Sequence, residues 1–517
     1  MNDRHFLRLV LLLLIPICWF SKPIDLIWDD QLLIGLNPWT KDLQNLPQIW
    51  FWNLWQDIPG EHANHWYRPL MAAHLILDQQ LFGENLLPRQ LVSLGWYLGL
   101  CILIWRYLET WELSRRGKRL GFLFFVFHPF QLELIHFLAA RNDTMVLVFS
   151  FAAILSQPKW LKISLFLLAF LSKESAVILL PLLIFGEFVK EKEWKPAALI
   201  FLLITLLYFG WKQALSLPSY FPEIDQLPLL MAQFLDNMFL PWTSTAAGFN
   251  YAETTSIIIL FFLFMGILRP CMVDKKLHLF SLIFIVIFLF LAGLGASSSH
   301  SLSYRYTALP LLGICLMISN LKLSSFSSQK YQIIVLGLLG FLLTGFRTTY
   351  TQWKDSRSLW ELAYQRTPSP HSACGLFMQI KREPTLAPRA LDLLDKATQN
   401  PPAQHCCFHA SQYPLDAHSP QMSLQLGKKA LSQGCAATPE LLAPLGLSEA
   451  LLGNWSDAKK IASQLQTDPY GYSPLILTAE GLHRGDNTAL DYWSQNDPTA
   501  KEQLRAKANQ LLKMVLD

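Results

Sequence analysis

Leu161-Lys-Ile-Ser-Leu-Phe-Leu-Leu-Ala-Phe-Leu171 and Ala176-Val-Ile-Leu-Leu-Pro-Leu-Leu-Ile-Phe-Gly-Glu-Phe-Val189 are two apolar runs joined by Ser172-Lys173-Glu174-Ser175, which carries one cation and one anion. Apolar run, short polar junction and apolar run recur along the chain, and this pattern decides the fold class. It predicts an all-α, polytopic membrane protein, because in lipid a helix satisfies every backbone N–H and C=O within its own segment. The composition of the 517 residues agrees, at 52% hydrophobic and 15% charged. The formal net charge of +4 is small and suggests no nucleic-acid partner.

Working outward, further spans are expected at Leu91–Tyr107, Leu120–Leu138, Thr144–Leu155, Ala197–Leu217, Thr255–Leu268, Leu277–Leu294, Tyr306–Ser319 and Tyr331–Phe346. At the start, Phe6–Phe20 follows Arg4 and reads as a secretory signal or a retained helix. No small-x-small cleavage site follows it, so it is kept as the first helix, giving about eleven spans in residues 1–346. Thr144–Leu155 and Leu161–Leu171 are shorter than the roughly 20 residues that cross a bilayer.

Cytoplasmic loops hold the excess of basic residues near helix ends. Assigning alternate loops to that side collects Arg4, Arg8, Arg115, Arg116, Lys118, Arg119, Lys159, Lys162, Lys190, Lys192, Lys195, Arg269, Lys275, Lys276, Lys322 and Lys330. The N-terminus is then cytoplasmic. The first loop, residues 21–90, and everything after Phe346 are extracytoplasmic.

The outer side carries isolated charges in apolar surroundings: Asp29, Asp30, Arg68, Glu133, Arg141, Asp143, Lys173, Glu174 and Arg305. Any one of them reads blandly as a helix-end residue snorkelling to the interface. Together on one face they predict a shared polar cavity, because ionisable groups at membrane depth are costly unless they pair or bind something. Pro129, in Phe127-His-Pro-Phe-Gln-Leu-Glu133, frees backbone groups that must line such a cavity or be buried. Trp50-Phe-Trp-Asn-Leu-Trp55 lies in a segment, Leu43–Trp55, that reads as an interfacial amphipathic helix or as stacking faces for sugar and prenyl chain. The proline-rich loop Ser216–Thr254 suggests a re-entrant or interfacial segment.

In chain order, Asp29-Asp30, Tyr67-Arg68-Pro69-Leu70, His128-Pro129-x-x-x-Glu133, Arg141-Asn142-Asp143, Ser172-Lys173-Glu174 and Arg305-Tyr306-x-x-Leu309-Pro310 resemble the GT-C superfamily of integral-membrane glycosyltransferases. The likeness is nearest to protein O-mannosyltransferases with transmembrane and tetratricopeptide repeats, and runs from Trp28 to about Pro368. It implies transfer of a sugar from a polyprenyl-phosphate-linked donor to a protein, lipid or glycan on the outer face of a bacterial inner membrane or ER-type membrane. Asp29 and Asp30 would be the general base or the ligands of a divalent cation, Mg or Mn. Arg68, Arg141, Lys173 and Arg305 would bind the donor phosphate, supported by His65, Tyr67, Glu133, Asp143 and Glu174. The chemistry asks for the same parts: a carboxylate beside the acceptor hydroxyl, and cations beside the leaving phosphate. A solvated helix exit is the plain alternative for Asp29-Asp30.

Residues 347–517 hold no spanning segment and alternate helical periodicity with Pro and Gly breaks. Gly453-Asn-Trp-Ser-Asp-Ala458 recurs loosely as Gly485-Asp-Asn-Thr-Ala489, a spacing of about 32 residues that suits tetratricopeptide-like helix pairs. Leu386–Ala397 and Met422–Gln433 would supply earlier, degenerate helices. Such a solenoid offers a docking surface for the acceptor. Cys374, Cys406, Cys407 and Cys435 fall here, and an oxidising compartment allows three full pairings among them. No Cys/His spacing indicates structural zinc. Two rival classes are a flippase for a lipid-linked sugar and a membrane-anchored repeat scaffold. A flippase predicts helical repeats and midplane charges, which the sequence does not display.

Overall fold

The computed structural model describes residues 2–51, 54, 67–189, 195–214, 231, 261, 266–267, 269–299, 308–323, 326–366, 368–399, 403–416, 418–465, 472–487, 489–490 and 498–516. Among them every regular element is a helix, and one isolated antiparallel bridge joins Met272 to Leu321. The chain divides into two compact units, Met1–Leu362 and Ala363–Asp517. The first unit continues beyond the composition change at Phe346, because Trp353 and Leu359 are buried in its hydrophobic core.

The first unit comprises α1 (Asp3–Phe20), α2 (Pro69–Phe82), α3 (Leu86–Glu109), α4 (Arg115–Phe127), α5 (Gln131–His136), α6 (Arg141–Leu155), α7 (Lys159–Ser172), α8 (Ala176–Val189), α9 (Lys195–Ala214), α10 (Lys275–Ser299), α11 (Ala308–Ser319) and α12 (Ser328–Gln352). Three described stretches, Leu86–Glu109, Leu138–Leu155 and Ser328–Thr351, are long and apolar enough to cross a membrane. Leu179–Val189, Ala198–Ala214 and Ala308–Ser319 are shorter apolar helices. About eleven spans were expected. The span expected at Leu120–Leu138 is instead two helices, because α4 stops at the extended His128 and Pro129 cannot continue its hydrogen bonds. Thr255–Leu268 lies almost wholly outside the described residues. Within the described part of the first loop, Gln31–Leu36 forms a single π turn, Leu43–Trp50 is a 3₁₀ helix where an amphipathic helix was expected over Leu43–Trp55, and the unexpected α2 starts at Pro69 with the ring at a first-turn position.

The polar junctions gather at two places. Asp3 at the start of α1 receives a hydrogen bond from Arg119 at 2.7 Å and an ion pair from Lys118 at 3.5 Å. Ser114 donates to the Leu321 carbonyl, while Val273 N–H donates to Asn320 O and Lys322 N–H to Cys271 O, both at 2.8 Å. Thus the junctions whose basic residues nominate them as cytoplasmic, at residues 3–8, 114–119, 269–276 and 320–323, contact one another. In a second group, Ser21 meets His136, Arg68 meets Glu174, and Asp143 meets Lys173.

Within lipid the hydrophobic effect does not drive helices together, so close packing at small residues must. Gly117 and Gly121, one turn apart on α4, lie against the backbone of Ser319 and Cys315 on α11, where a Cβ would collide. Gly121→Ala is expected to lower stability by about 1–3 kcal/mol. Gly95→Ala on α3, where nothing lies within 4 Å, should be neutral in the same thermal-unfolding assay.

The second unit holds Pro370–Ile380, Ala387–Ala397, Gln404–Cys407, His409–Asp416, Pro420–Ser432, Pro439–Leu451, Trp455–Gln464, Tyr472–His483 and Pro498–Leu516. Successive helices pack on each other, and the pairs are closed by turns at Gly434, Gly453 and Gly485, whose φ values are 101°, 78° and 79°. That left-handed conformation ends a helix with least strain at glycine. The cysteines pair as Cys374–Cys406 and Cys407–Cys435, so two adjacent residues tie the short helix Gln404–Cys407 to the helix Pro370–Ile380 and to the turn after Pro420–Ser432.

Candidate functional site

The site is built around the turn Trp28-Asp29-Asp30. Trp28 adopts φ 50°, a left-handed conformation that a bulky residue holds only when its surroundings fix it. They do so on three sides. The Trp28 ring stacks on Phe137 at 5.7 Å and meets the edge of Trp360 at 5.4 Å. The backbone N–H of Trp28 donates to Ser356 Oγ at 3.0 Å, and that hydroxyl donates to the Leu26 carbonyl at 3.1 Å. The bend separates the fates of the two carboxylates. Asp30 turns inward and is 1% exposed, while Asp29 remains half-buried.

Asp30 accepts hydrogen bonds from the backbone N–H of Leu138 at 3.0 Å and of Ala139 at 2.7 Å, one on each carboxylate oxygen. It therefore caps the turn Leu138–Ala140 that leads into α6. Burial pushes its carboxyl up to about 8, aided by the charge of Asp29 and opposed by these two N–H groups and Arg141. A carboxyl with both oxygens engaged by N–H donors and its charged form disfavoured is a poor ligand for a divalent cation. Among the described residues no three His, Cys, Asp or Glu side chains gather as a metal site.

The motifs meet more directly at the junction of α7 and α8. Arg68, at the N-terminal boundary of α2, grips Glu174 with two parallel bonds, Nε to Oε2 at 3.0 Å and Nη2 to Oε1 at 2.5 Å. Burial alone would raise the Glu174 carboxyl, but Arg68 and Lys173 outweigh it and hold the group at about 2. Lys173 pairs with Asp143 on the first turn of α6. Positive and negative charges thus alternate along Arg68, Glu174, Lys173 and Asp143, drawn from three separate sequence motifs. Tyr67 fixes the approach to Arg68: its hydroxyl donates to the Trp50 carbonyl at 3.2 Å and receives Trp211 Nε1–H at 3.0 Å.

Arg141 has a different setting. Its side chain is fully buried and donates from Nη1 to Asp78 at 2.6 Å, from Nε to Ser93 at 3.1 Å and from Nη2 to the Arg89 carbonyl at 3.0 Å. All three nitrogens are occupied by protein, which makes this arginine a strut between α2, α3 and α6. Glu133 is fully buried on α5. Nearby in sequence, Asp143 Oδ2, Asn142 Oδ1 and both amide atoms of Gln131 are buried without a hydrogen-bond partner among the described residues.

His65 and Arg305, expected as a supporting and a phosphate-binding residue, lie outside the described residues, as does the loop Ser216–Thr254 except Met231. The sequence reading missed Asp78, because the apolar α2 was taken as part of a loop, and missed Trp211, Ser356 and Trp360. No short motif marks these positions, as these partners are 63 or more residues away in the chain. Comparison with family models, curated proteins and solved structures finds no match.

Proposed function

We propose that this chain is a multi-pass membrane glycosyltransferase that moves a sugar from a polyprenyl-phosphate donor to an acceptor hydroxyl on the extracytoplasmic side. The single observation that carries this reading is the alternating cluster of Arg68, Glu174, Lys173 and Asp143, assembled from three motifs named from sequence alone. About eleven spans, a cytoplasmic N-terminus and an extracytoplasmic second unit belong to the same proposal. The mutual contacts of the basic junctions support this topology, as do two disulfides in the second unit. That unit, read as a tetratricopeptide-like solenoid, would dock a protein or glycan acceptor.

In the proposed reaction Asp29 is the general base, since Asp30 is committed to its backbone bonds. Its carboxylate takes the acceptor's O–H proton, the oxygen forms a bond to the anomeric carbon, and the carbon–oxygen bond to phosphate breaks with its electron pair. A sugar phosphodiester carries one negative charge and the departing polyprenyl phosphate gains a second. Cations that meet this growing charge therefore stabilise the transition state more than the ground state. Arg68 and Lys173 are held for that task by their carboxylate partners. The buried acceptor atoms of Asn142 and Gln131 suit the hydroxyls of a sugar.

The test uses the full chain in lipid nanodiscs, with polyprenyl phosphate mannose or glucose as donor and a serine/threonine peptide as acceptor. Arg68→Lys is expected to raise the donor KM about tenfold, the equivalent of one charge-assisted hydrogen bond, because lysine cannot hold the two-pronged geometry. Unchanged donor affinity, or no transfer by the parent chain with either donor, would remove the cluster from the reaction.

A further inference from the structure

A cavity apart from this cluster lies between α1, α3 and α5. Ile15, Cys18, Trp19 and Lys22 line it on one side, Leu87, Gln90, Leu91 and Leu94 on the second, and Ile135 and His136 on the third. Its volume of about 40 Å³ holds roughly three water-sized groups, room for the polar tip of a headgroup while the rest of an occupant lies along the exposed rim. Ile15, Trp19 and Leu91 are 46%, 48% and 50% exposed, so the apolar rim is continuous with the outward face of α1. Such a face, in a membrane, is covered by lipid.

The polar groups say which lipid. Lys22 lies with its ammonium 4.4 Å from the Trp19 ring centroid, at the end of α1. Gln90 is 5% exposed and its amide nitrogen has no acceptor among the described residues; His136 is 2% exposed and its Nδ1 has no partner there. Ser21 spends its hydroxyl proton on the Ile17 carbonyl at 2.8 Å, so it accepts from His136 Nε2–H at 2.7 Å, which leaves Nδ1 as an acceptor. An occupant satisfying all three groups brings a negative charge, a hydrogen-bond acceptor and a hydroxyl donor. Phosphoglycerol carries all of them; phosphocholine has no hydroxyl and cancels its own charge.

We infer that this groove binds one anionic glycerophospholipid, its phosphate on Lys22 and Gln90, its headgroup hydroxyl on His136 and its acyl chain along Ile15 and Leu94. The inference rests on the membrane part of the proposed function and not on sugar transfer. The test is photolabelling of the full chain in phosphatidylcholine nanodiscs doped with phosphatidylglycerol bearing a diazirine in its acyl chain, followed by peptide mapping. Labelling is expected to concentrate on Ile15–Trp19 and Leu87–Leu94, and to fall about tenfold in Lys22→Gln and in Leu91→Trp, which fills the groove from an exposed position. Transfer activity should be unchanged in both variants. Labelling spread evenly over the outward faces of α1 and α12, or unaffected by either substitution, overturns the site. Displacement by equimolar polyprenyl phosphate would reassign the groove to the donor and also overturns it. A chain that is not embedded in the bilayer would take no label anywhere, α12 included, and that outcome fails the membrane reading itself.

Discussion

Asp29→Asn is expected to reduce sugar transfer about 100-fold while donor binding and membrane insertion persist, the loss typical of removing a general base that touches the reacting hydroxyl. Asp30→Asn should behave differently, although the two residues are adjacent and chemically alike. Asp30 offers one oxygen to Leu138 N–H and the other to Ala139 N–H. An asparagine amide can keep only one of those bonds and sets its own N–H₂ against the other donor. The expected cost is about 1–3 kcal/mol of stability, with any fall in turnover following the fraction of folded protein. Thermal unfolding and transfer measured on both variants separate the roles. A catalytic loss confined to Asp30, with Asp29→Asn near normal, would exchange the assignments. Near-normal transfer in both would take loop one out of the chemistry and favour a flippase.

The division between these carboxylates was not legible in the sequence, because it depends on the left-handed backbone of Trp28. That conformation is imposed by Phe137, Ser356 and Trp360, which no local pattern connects to the first loop. Helices were far more legible. The segment Ala176–Val189 was expected with the boundaries it has, since charged junctions flank a run whose apolar character is unbroken for three turns. The run Leu120–Leu138 failed because mean apolarity outweighed one proline, whose missing donor ended α4. The helix α2 was invisible for the opposite reason: its 14 residues are too short for a membrane span, and its polar neighbours made the whole region look like loop. Among the site residues, Arg68, Glu174, Lys173 and Asp143 do converge. Their individual charges pointed to a shared cavity but could not say that each cation already has a carboxylate.

Arg141 is the most deeply buried of these paired cations. Arg141→Met would leave Asp78 charged or awkwardly protonated in a setting where its side chain is 5% exposed, and would also remove the bonds given to Ser93 Oγ and the Arg89 carbonyl. Breaking a buried pair from one side costs about 3–5 kcal/mol, a large part of the roughly 5–15 kcal/mol by which a typical domain is stable. The single variant is therefore expected to accumulate poorly or to melt far below the parent. Removing both charges together, in Arg141→Met with Asp78→Leu, should restore most of that stability, because neither ion is then buried alone. Arg89 retains its bonds to Gln79 and Gly83 in both variants. The rescued double variant also decides what Arg141 does. If it is a strut, the double variant binds polyprenyl phosphate sugar and turns it over near the parent rate. A double variant that folds normally but loses donor affinity would return Arg141 to the phosphate, and its grip on Asp78 would be a resting pair that the donor displaces.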